Sequence, residues 1–250
     1  MLFKENLITF KQAATDVSSW LLDLLFPIRC LVCGREDKEF LCLFCKSQLK
    51  TVDCQVCIMC KKPSVNGVTH PGCQTPWGPD GLITLFDYHD KNVANSIIQG
   101  KYSFLPAVFR TFGSMLANAI SQKYPHLAAM QPSLIPLPLH KGRKRWRGFN
   151  QTEIVCKNVA EKLQLTMLEA LVRIKATKTQ KDLKREERLK NMDSAFALSQ
   201  ACQNTQSLLL DKNFILLDDV TTTGATLLEA VKVLKRNGAN QVWCVTVARD

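Results

Sequence analysis

The sequence predicts an α/β fold, a mostly parallel sheet flanked by helices, preceded by a small cysteine-rich module. Three observations carry that expectation. From Gly81 to Asp250, short apolar runs alternate with patterns of helical period, as in chains that build a mostly parallel sheet. Eight of the eleven cysteines fall between Cys30 and Cys73. One apolar run, Phe214 to Leu217, leads into paired aspartates and a Thr-rich stretch just before a helical pattern.

Taken in order, residues 1–29 form an N-terminal helical segment. Val17, Trp20, Leu21, Leu24 and Leu25 share one apolar face, which docks on a core or on a partner, and Pro27 stops the pattern. Residues 30–80 hold the cysteines and a linker with two prolines and a glycine after residue 73. Residues 81–250 form the main domain. Leu82–Phe86 reads as a strand, Asn92–Lys123 as mostly helix interrupted near Gly100–Pro106, and Leu134–Leu139 as a short strand with two prolines. A helix over Gln151–Leu163 and a strand over Leu168–Ile174 follow. Thr177–Asn191 is polar and charged, suited to a lid, and Ala195–Leu198 is a short strand. Phe214–Leu217 is a buried strand, Thr226–Asn237 a helix that Gly238 terminates, and Gln241–Ala248 a final strand.

The 250 residues are 46% hydrophobic and 22% charged, which excludes wholesale disorder and a coiled-coil rod. No apolar run is long enough for a membrane span, and no leader pattern is evident. A reducing, cytoplasmic compartment is therefore expected, where clustered thiols serve as metal ligands rather than disulfides. A formal charge of +11 suits polyanionic partners.

Two zinc sites can be written. Cys30-x2-Cys33 and Cys42-x2-Cys45 are two knuckles that together offer four thiolates to a tetrahedral Zn²⁺. Cys57 and Cys60 make a third knuckle, completed by His70 and Cys73, while Cys54 competes for a place in this second set. Four protein ligands leave no open position, so both zincs are expected to be structural.

Phe214-Ile-Leu-Leu-Asp-Asp-Val-Thr-Thr-Thr-Gly-Ala-Thr226 reads as strand, loop and helix start. The loop N–H groups and the helix N-terminus attract a phosphate, and Gly224 lets the backbone approach it. Asp218 and Asp219 would repel that phosphate, so sugar hydroxyls are their natural donors. A ribose 5-phosphate group satisfies both halves. The stretch resembles the 5-phosphoribosyl-1-diphosphate (PRPP) loop of type I phosphoribosyltransferases. By that resemblance Asp218 and Asp219 hold the ribose hydroxyls. Val220, Thr221, Thr222, Thr223, Gly224, Ala225 and Thr226 hold the 5-phosphate, and Mg²⁺ accompanies the diphosphate.

Between Lys141 and Lys190 stand fifteen basic and six acidic residues, most of the chain's net positive charge. The densest part, Arg143, Lys144, Arg145, Trp146, Arg147 and Phe149, reads as a basic loop after a strand. Cations interleaved with aromatics suit single-stranded nucleic acid, with charge for the backbone and rings for stacking. The same rings could instead be buried anchors.

The chain as a whole resembles the ComF (ComFC) competence protein family. The matching features are Leu-Phe-Pro before the first knuckle, the two knuckle sets, Pro136-Leu-Pro-Leu139, Arg147-Gly-Phe-Asn-Gln151, Thr179-Gln180 with Arg185, Arg188 and Asn191, and the PRPP loop. His70 and Lys61 depart from that family's usual second knuckle, which is all cysteine with Gly following. The resemblance implies a type I phosphoribosyltransferase-like fold behind a zinc-ribbon-like module. It also implies a competence factor that binds PRPP and single-stranded DNA alongside a ComFA-type helicase. Two other readings remain. One is an active phosphoribosyltransferase acting on an unidentified base or amine, with Lys141, Arg143, Arg185 or Arg188 at the departing diphosphate. The other is a zinc-module adaptor for the helicase. The sequence stops at Asp250 after its last strand, so no C-terminal acceptor-binding hood is expected.

Overall fold

The computed structural model describes residues 27–175 and 195–250. The apolar face expected at Val17–Leu25 and the lid expected at 177–191, with Arg185 and Arg188, lie outside the described residues. Chain packing divides the protein into one unit ending at Gln48 and a second spanning Leu49–Asp250.

In the first unit the Cys30 knuckle closes with the Gly34 N–H donating to the Cys30 carbonyl at 2.9 Å. Gly34 has φ +72°, a left-handed conformation that glycine adopts without steric cost. An antiparallel bridge joins Arg29 to Glu36, and α1 (Leu43–Gln48) carries Cys45.

The second unit is built on a four-stranded parallel sheet in the order β1-β6-β5-β2. Its strands are β1 (Gly81–Asp87), β2 (Ser133–Pro136), β5 (Phe214–Thr221) and β6 (Val242–Arg249). A separate antiparallel pair is formed by β3 (Leu171–Arg173) and β4 (Phe196–Leu198). Strands β5 and β6 are central, and their near-continuous apolar runs are what burial on both faces demands.

The expected interruption near residue 100 separates α2 (Lys91–Tyr102) from α3 (Pro106–Lys123). Asp90 caps α2 by accepting from the Asn92 N–H, and Pro106 opens α3, where its missing N–H costs nothing. Helix α4 (Pro125–Ala129) leads to β2. Helix α5 (Lys141–Arg147) and α6 (Gln151–Leu163) follow, and Asn150 caps α6 through the Thr152 N–H. Helix α7 (Gln200–Asn204) precedes β5, and α8 (Ala225–Arg236) joins β5 to β6.

Strand alternation sorts the core. Leu82, Leu216 and Cys244 pack with Leu227, Val231 and Leu234 of α8 on one face. On the other, α3 and α6 lie against each other and cover β5 and β6.

Residues 49–80 run along the outer edge of β1. Thr51 bridges to Phe86 and Val68 to Gly81. The Gln55 side-chain amide both donates to the Thr84 carbonyl and accepts from the Thr84 N–H, each at 2.9 Å. The second cysteine set therefore folds within the same unit as the sheet. Among the described residues no helix is long and apolar enough to cross a membrane.

Candidate functional site

A cavity of about 350 Å³ opens at the carboxyl ends of β2 and β5, where ligands bind in open parallel sheets. Leu137 and Leu139 wall it from the segment after β2, Asp218 and Asp219 from β5, Thr222 from the turn into α8 and Thr226 from its first turn. Arg143 and Arg173 also line it.

The two aspartates differ in their surroundings. Asp219 is 5% exposed, with Lys101 Nζ at 2.7 Å and Gln151 Nε2 donating to it at 2.6 Å. Arg147 Nη1 in turn donates to Gln151 Oε1 at 2.6 Å. Burial works to raise the Asp219 carboxyl, but the Lys101 ammonium and these hydrogen bonds hold it below its usual range. On Asp218 burial, then the negative charge of Asp219, pushes the carboxyl up to about 8. The Asp219 N–H, which donates to its Oδ1 at 2.8 Å, and the charges of Lys101 and Arg173 lower it but are outweighed. Burial also lowers Arg147 and Arg173, which Asp219 and Asp218 respectively oppose.

Strand β5 runs on through Thr221, so both acids are strand residues rather than loop residues. The ladder to β6 continues through Val220↔Ala248 and Thr221↔Arg249, and that pairing extends the strand past the apolar run. The turn is correspondingly short. Thr223 Oγ1 accepts from the Ala225 N–H at 3.3 Å, and Gly224 starts α8 at φ +81°. The first turn of α8 carries no acidic residue to offset the positive dipole end that its N–H groups form.

The basic segment needs correction in three places. Lys141–Arg147 is helix α5, not a loop, because the His140 side chain caps it by accepting from the Gly142 N–H. Arg147 is not a surface cation: it is 7% exposed and belongs to the Asp219 network. Phe149 is partly buried and packs its ring 6.0 Å from that of Phe109, so it is an anchor. Lys144 and Arg145 remain exposed, with Lys144 paired to Glu153 at 2.8 Å, and Lys141 is exposed but does not line the cavity. Trp146 is 57% exposed and stands beside Tyr102 and Phe104, themselves 56% and 49% exposed. Those two rings, with Lys101, Gln151 and Arg173, were missed in the sequence. Only Gln151 had a local signal, as the end of the Arg-Gly-Phe-Asn-Gln motif.

The cysteine sets converge as two four-ligand groups, Cys30/Cys33/Cys42/Cys45 and Cys57/Cys60/His70/Cys73, with ligand atoms within 4.8 Å of one another in each. Cys33 and Cys42 sulfurs lie 3.8 Å apart, the edge of a tetrahedron with Zn–S bonds of about 2.3 Å. Cys60 Sγ is 3.3 Å from His70 Nδ1, and His70 Nε2 lies 3.1 Å from the Pro63 carbonyl, a contact that orients the ring as a ligand. Cys54 is exposed and lies outside the group. Burial raises Cys30 and Cys57, but backbone N–H groups outweigh it and bring them to about 6 and about 7. Both donor sets fit structural zinc.

A parallel sheet with acids and a Thr–Gly turn at one strand's carboxyl end, beside cysteine knuckles, defines a phosphoribosyltransferase-type domain with zinc ribbons. A model of the double zinc ribbon domain matches residues 21–74, and one of the phosphoribosyl transferase domain matches residues 154–250. The chain is 30% identical over 242 residues to Competence protein ComFC of Bacillus subtilis (strain 168), covering 93% of this chain and 89% of that protein. It is 28% identical over 229 residues to Competence protein F of Haemophilus influenzae (strain ATCC 51907 / DSM 11121 / KW20 / Rd), covering 87% and 96%. It is 29% identical over 215 residues to DNA utilization protein YhgH of Escherichia coli (strain K12), covering 82% and 89%. The chain belongs to the ComF (ComFC) competence protein family.

Two predictions follow from this geometry. Elemental analysis of the purified protein should return close to two Zn²⁺ per chain, and His70→Ala should lower that to about one. An undiminished zinc content in that variant would remove His70 from the ligand set. The second concerns Asp218, whose carboxyl is raised in the fold from 3.8 to about 8. Its contribution to stability is complete below its ordinary value and is lost as pH rises to about 8. Asp218→Asn should therefore raise the unfolding midpoint by an amount that grows between pH 4 and 8 and then levels off. A constant difference across that range would refute the raised carboxyl.

Proposed function

We propose that this protein acts in DNA uptake, binding PRPP with Mg²⁺ in the cavity and single-stranded DNA on the adjoining basic surface. One observation carries the reading: two adjacent carboxylates, one braced by Lys101, face a Thr-lined turn at the N-terminus of α8. The bonds from Lys101 and Gln151 fall on Asp219 Oδ2, while Oδ1 accepts from the Val220 N–H. A carboxylate oxygen has two acceptor positions, so Oδ1 still has one for a sugar hydroxyl. The first turn of α8 suits the 5-phosphate, and Arg143 and Arg173 suit the diphosphate. Mg²⁺ is a hard cation that takes oxygen ligands, which the diphosphate would supply. The family relatives named for competence and DNA utilization support the DNA-uptake role.

Calorimetry with PRPP and Mg²⁺ tests the cavity. Asp218→Ala with Asp219→Ala should weaken binding by roughly 3–6 kcal/mol, the worth of two charge-assisted hydrogen bonds. Unchanged affinity would exclude ribose recognition by these acids.

DNA binding has a separate test on the exposed face. Lys144→Ala with Arg145→Ala should make the log–log salt dependence of single-strand binding shallower by up to about 1.4, at about 0.7 per phosphate. Trp146→Ala should cost roughly 1–3 kcal/mol with little change in slope, since stacking releases no counterions. Equal binding of duplex and single strand, insensitive to Trp146, would leave only a generic basic surface.

A further inference from the structure

Three aromatic side chains meet at the mouth of the cavity and bury little of themselves. Tyr102 ends α2, Phe104 lies in the turn between α2 and α3, and Trp146 stands in the last turn of α5. The Trp146 ring is centred 5.9 Å from that of Tyr102 and 5.6 Å from that of Phe104, at interplanar angles of 61° and 59°. Neither ring lies flat on the indole, and all three are about half exposed. Tyr102 also lines the cavity, and the Arg147 guanidinium lies 5.9 Å from its ring centre. Lys101, the residue before it, grips Asp219. The ring cluster is therefore fixed to the network that braces that acid.

Phe104 is held there at a cost. Its φ is +56°, in the left-handed region where a bulky side chain is disfavoured. The Ser103 N–H donates to the Gln99 carbonyl at 2.8 Å and the Leu105 N–H to the Gly100 carbonyl at 3.1 Å, a helix-ending turn that glycine ordinarily makes. Burial does not offset the cost, since the phenyl ring is 49% exposed. Backbone strain that packing does not account for gathers where a side chain serves a ligand, and contiguous exposed rings mark a binding surface. The charge beside the rings says of what kind. Helix α5 carries Lys141, Arg143, Lys144, Arg145 and Arg147 with no acidic residue, and Lys141, Lys144 and Arg145 are exposed. Cations suit a phosphate backbone, and open ring faces suit unpaired bases.

We propose that Tyr102, Phe104 and Trp146 together form a stacking seat for an unpaired base of a single strand whose phosphates lie along α5. The proposal rests on the single-strand reading above and extends it from one ring to three. It also says where the strand runs: Tyr102 belongs to the seat and to the cavity wall alike, so the seated base borders the cavity.

The probes are a dye-labelled oligothymidylate and an abasic strand of the same length, read by fluorescence anisotropy against the full chain. Phe104→Gly is the informative variant, because it removes one ring and relieves the left-handed backbone while leaving the cavity lining intact. The unfolding midpoint should hold while affinity for the oligothymidylate falls roughly 5- to 150-fold, the loss of one base–ring stack. Phe104→Tyr should recover most of that loss. The abasic strand should bind the wild type and Phe104→Gly alike, since its phosphate contacts remain. If the wild type and Phe104→Gly bind the oligothymidylate equally well, the seat is refuted and the single-strand reading stands. An equal loss on the abasic strand also refutes the seat, because Phe104 then acts on the shape of α5 and not on a base. Thymidine 5′-monophosphate binding as tightly as the oligothymidylate would make the occupant a free nucleotide and overturn the assignment to a strand. If the wild type binds no single strand at all, the single-strand reading falls and this proposal falls with it.

Discussion

Two carboxylates on consecutive residues of a central strand set the terms for everything around them. Both cannot ionise cheaply in a buried site, because like charges at close range oppose each other. The fold resolves the conflict by treating them unequally. Lys101 arrives from the last turn of α2, Gln151 from the first turn of α6, and Arg147 from α5 behind Gln151. Three helices are thereby committed to one carboxylate. Asp218 carries more of the electrostatic cost, which hydroxyls or a divalent cation would relieve. Removing one partner of a buried ion pair is generally far more damaging than replacing the whole pair, because an uncompensated charge stays behind. Lys101 is therefore as much a part of the site as the acids it serves.

How much of this was legible in the sequence follows from where the information lies along the chain. The Phe214–Thr226 stretch was readable because the strand, both acids, the turn and the helix start are contiguous. The cysteine knuckles were readable for the same reason, each pair being a local turn. The alternation of strands and helices from Gly81 onward gave the layered sheet. Lys101 was not readable: it stands at the end of an ordinary amphipathic helix, and only the fold of α2 over the sheet brings it to Asp219. Arg147 and Phe149 were misjudged because a run of cations with aromatics fits a surface patch and a buried anchor equally well. Only the positions of Gln151 and Phe109 decide between these, and both are tertiary facts. The choice between Cys54 and His70 was likewise settled by convergence in space rather than by spacing.

The cysteine-rich region is continuous in sequence but not in its packing. The first set closes a unit that ends at Gln48, while the second is embedded in the sheet-bearing unit through Ile58, Gln55 and the bridges to β1. The donor sets match that difference: four cysteines in the first, and three cysteines with an oriented histidine in the second. Zinc in the second set thus bears on the geometry of the α/β domain itself, since the turn it fixes lies against Gly224.

Strand β1 is the outermost strand on its side of the sheet, and its far edge does not face solvent as an open ladder. Thr51 and Val68 bridge to it at either end, and between them the amide of Gln55 stands in for a neighbouring strand, giving Thr84 both the donor and the acceptor it needs. An exposed edge of this kind would template the addition of another molecule's backbone. One primary amide, held in place by the second ribbon, denies that template without adding a fifth strand. The ribbon thereby closes the β1 edge of the sheet to another backbone, a protection that depends on a side chain and is invisible in any pattern of strand propensities.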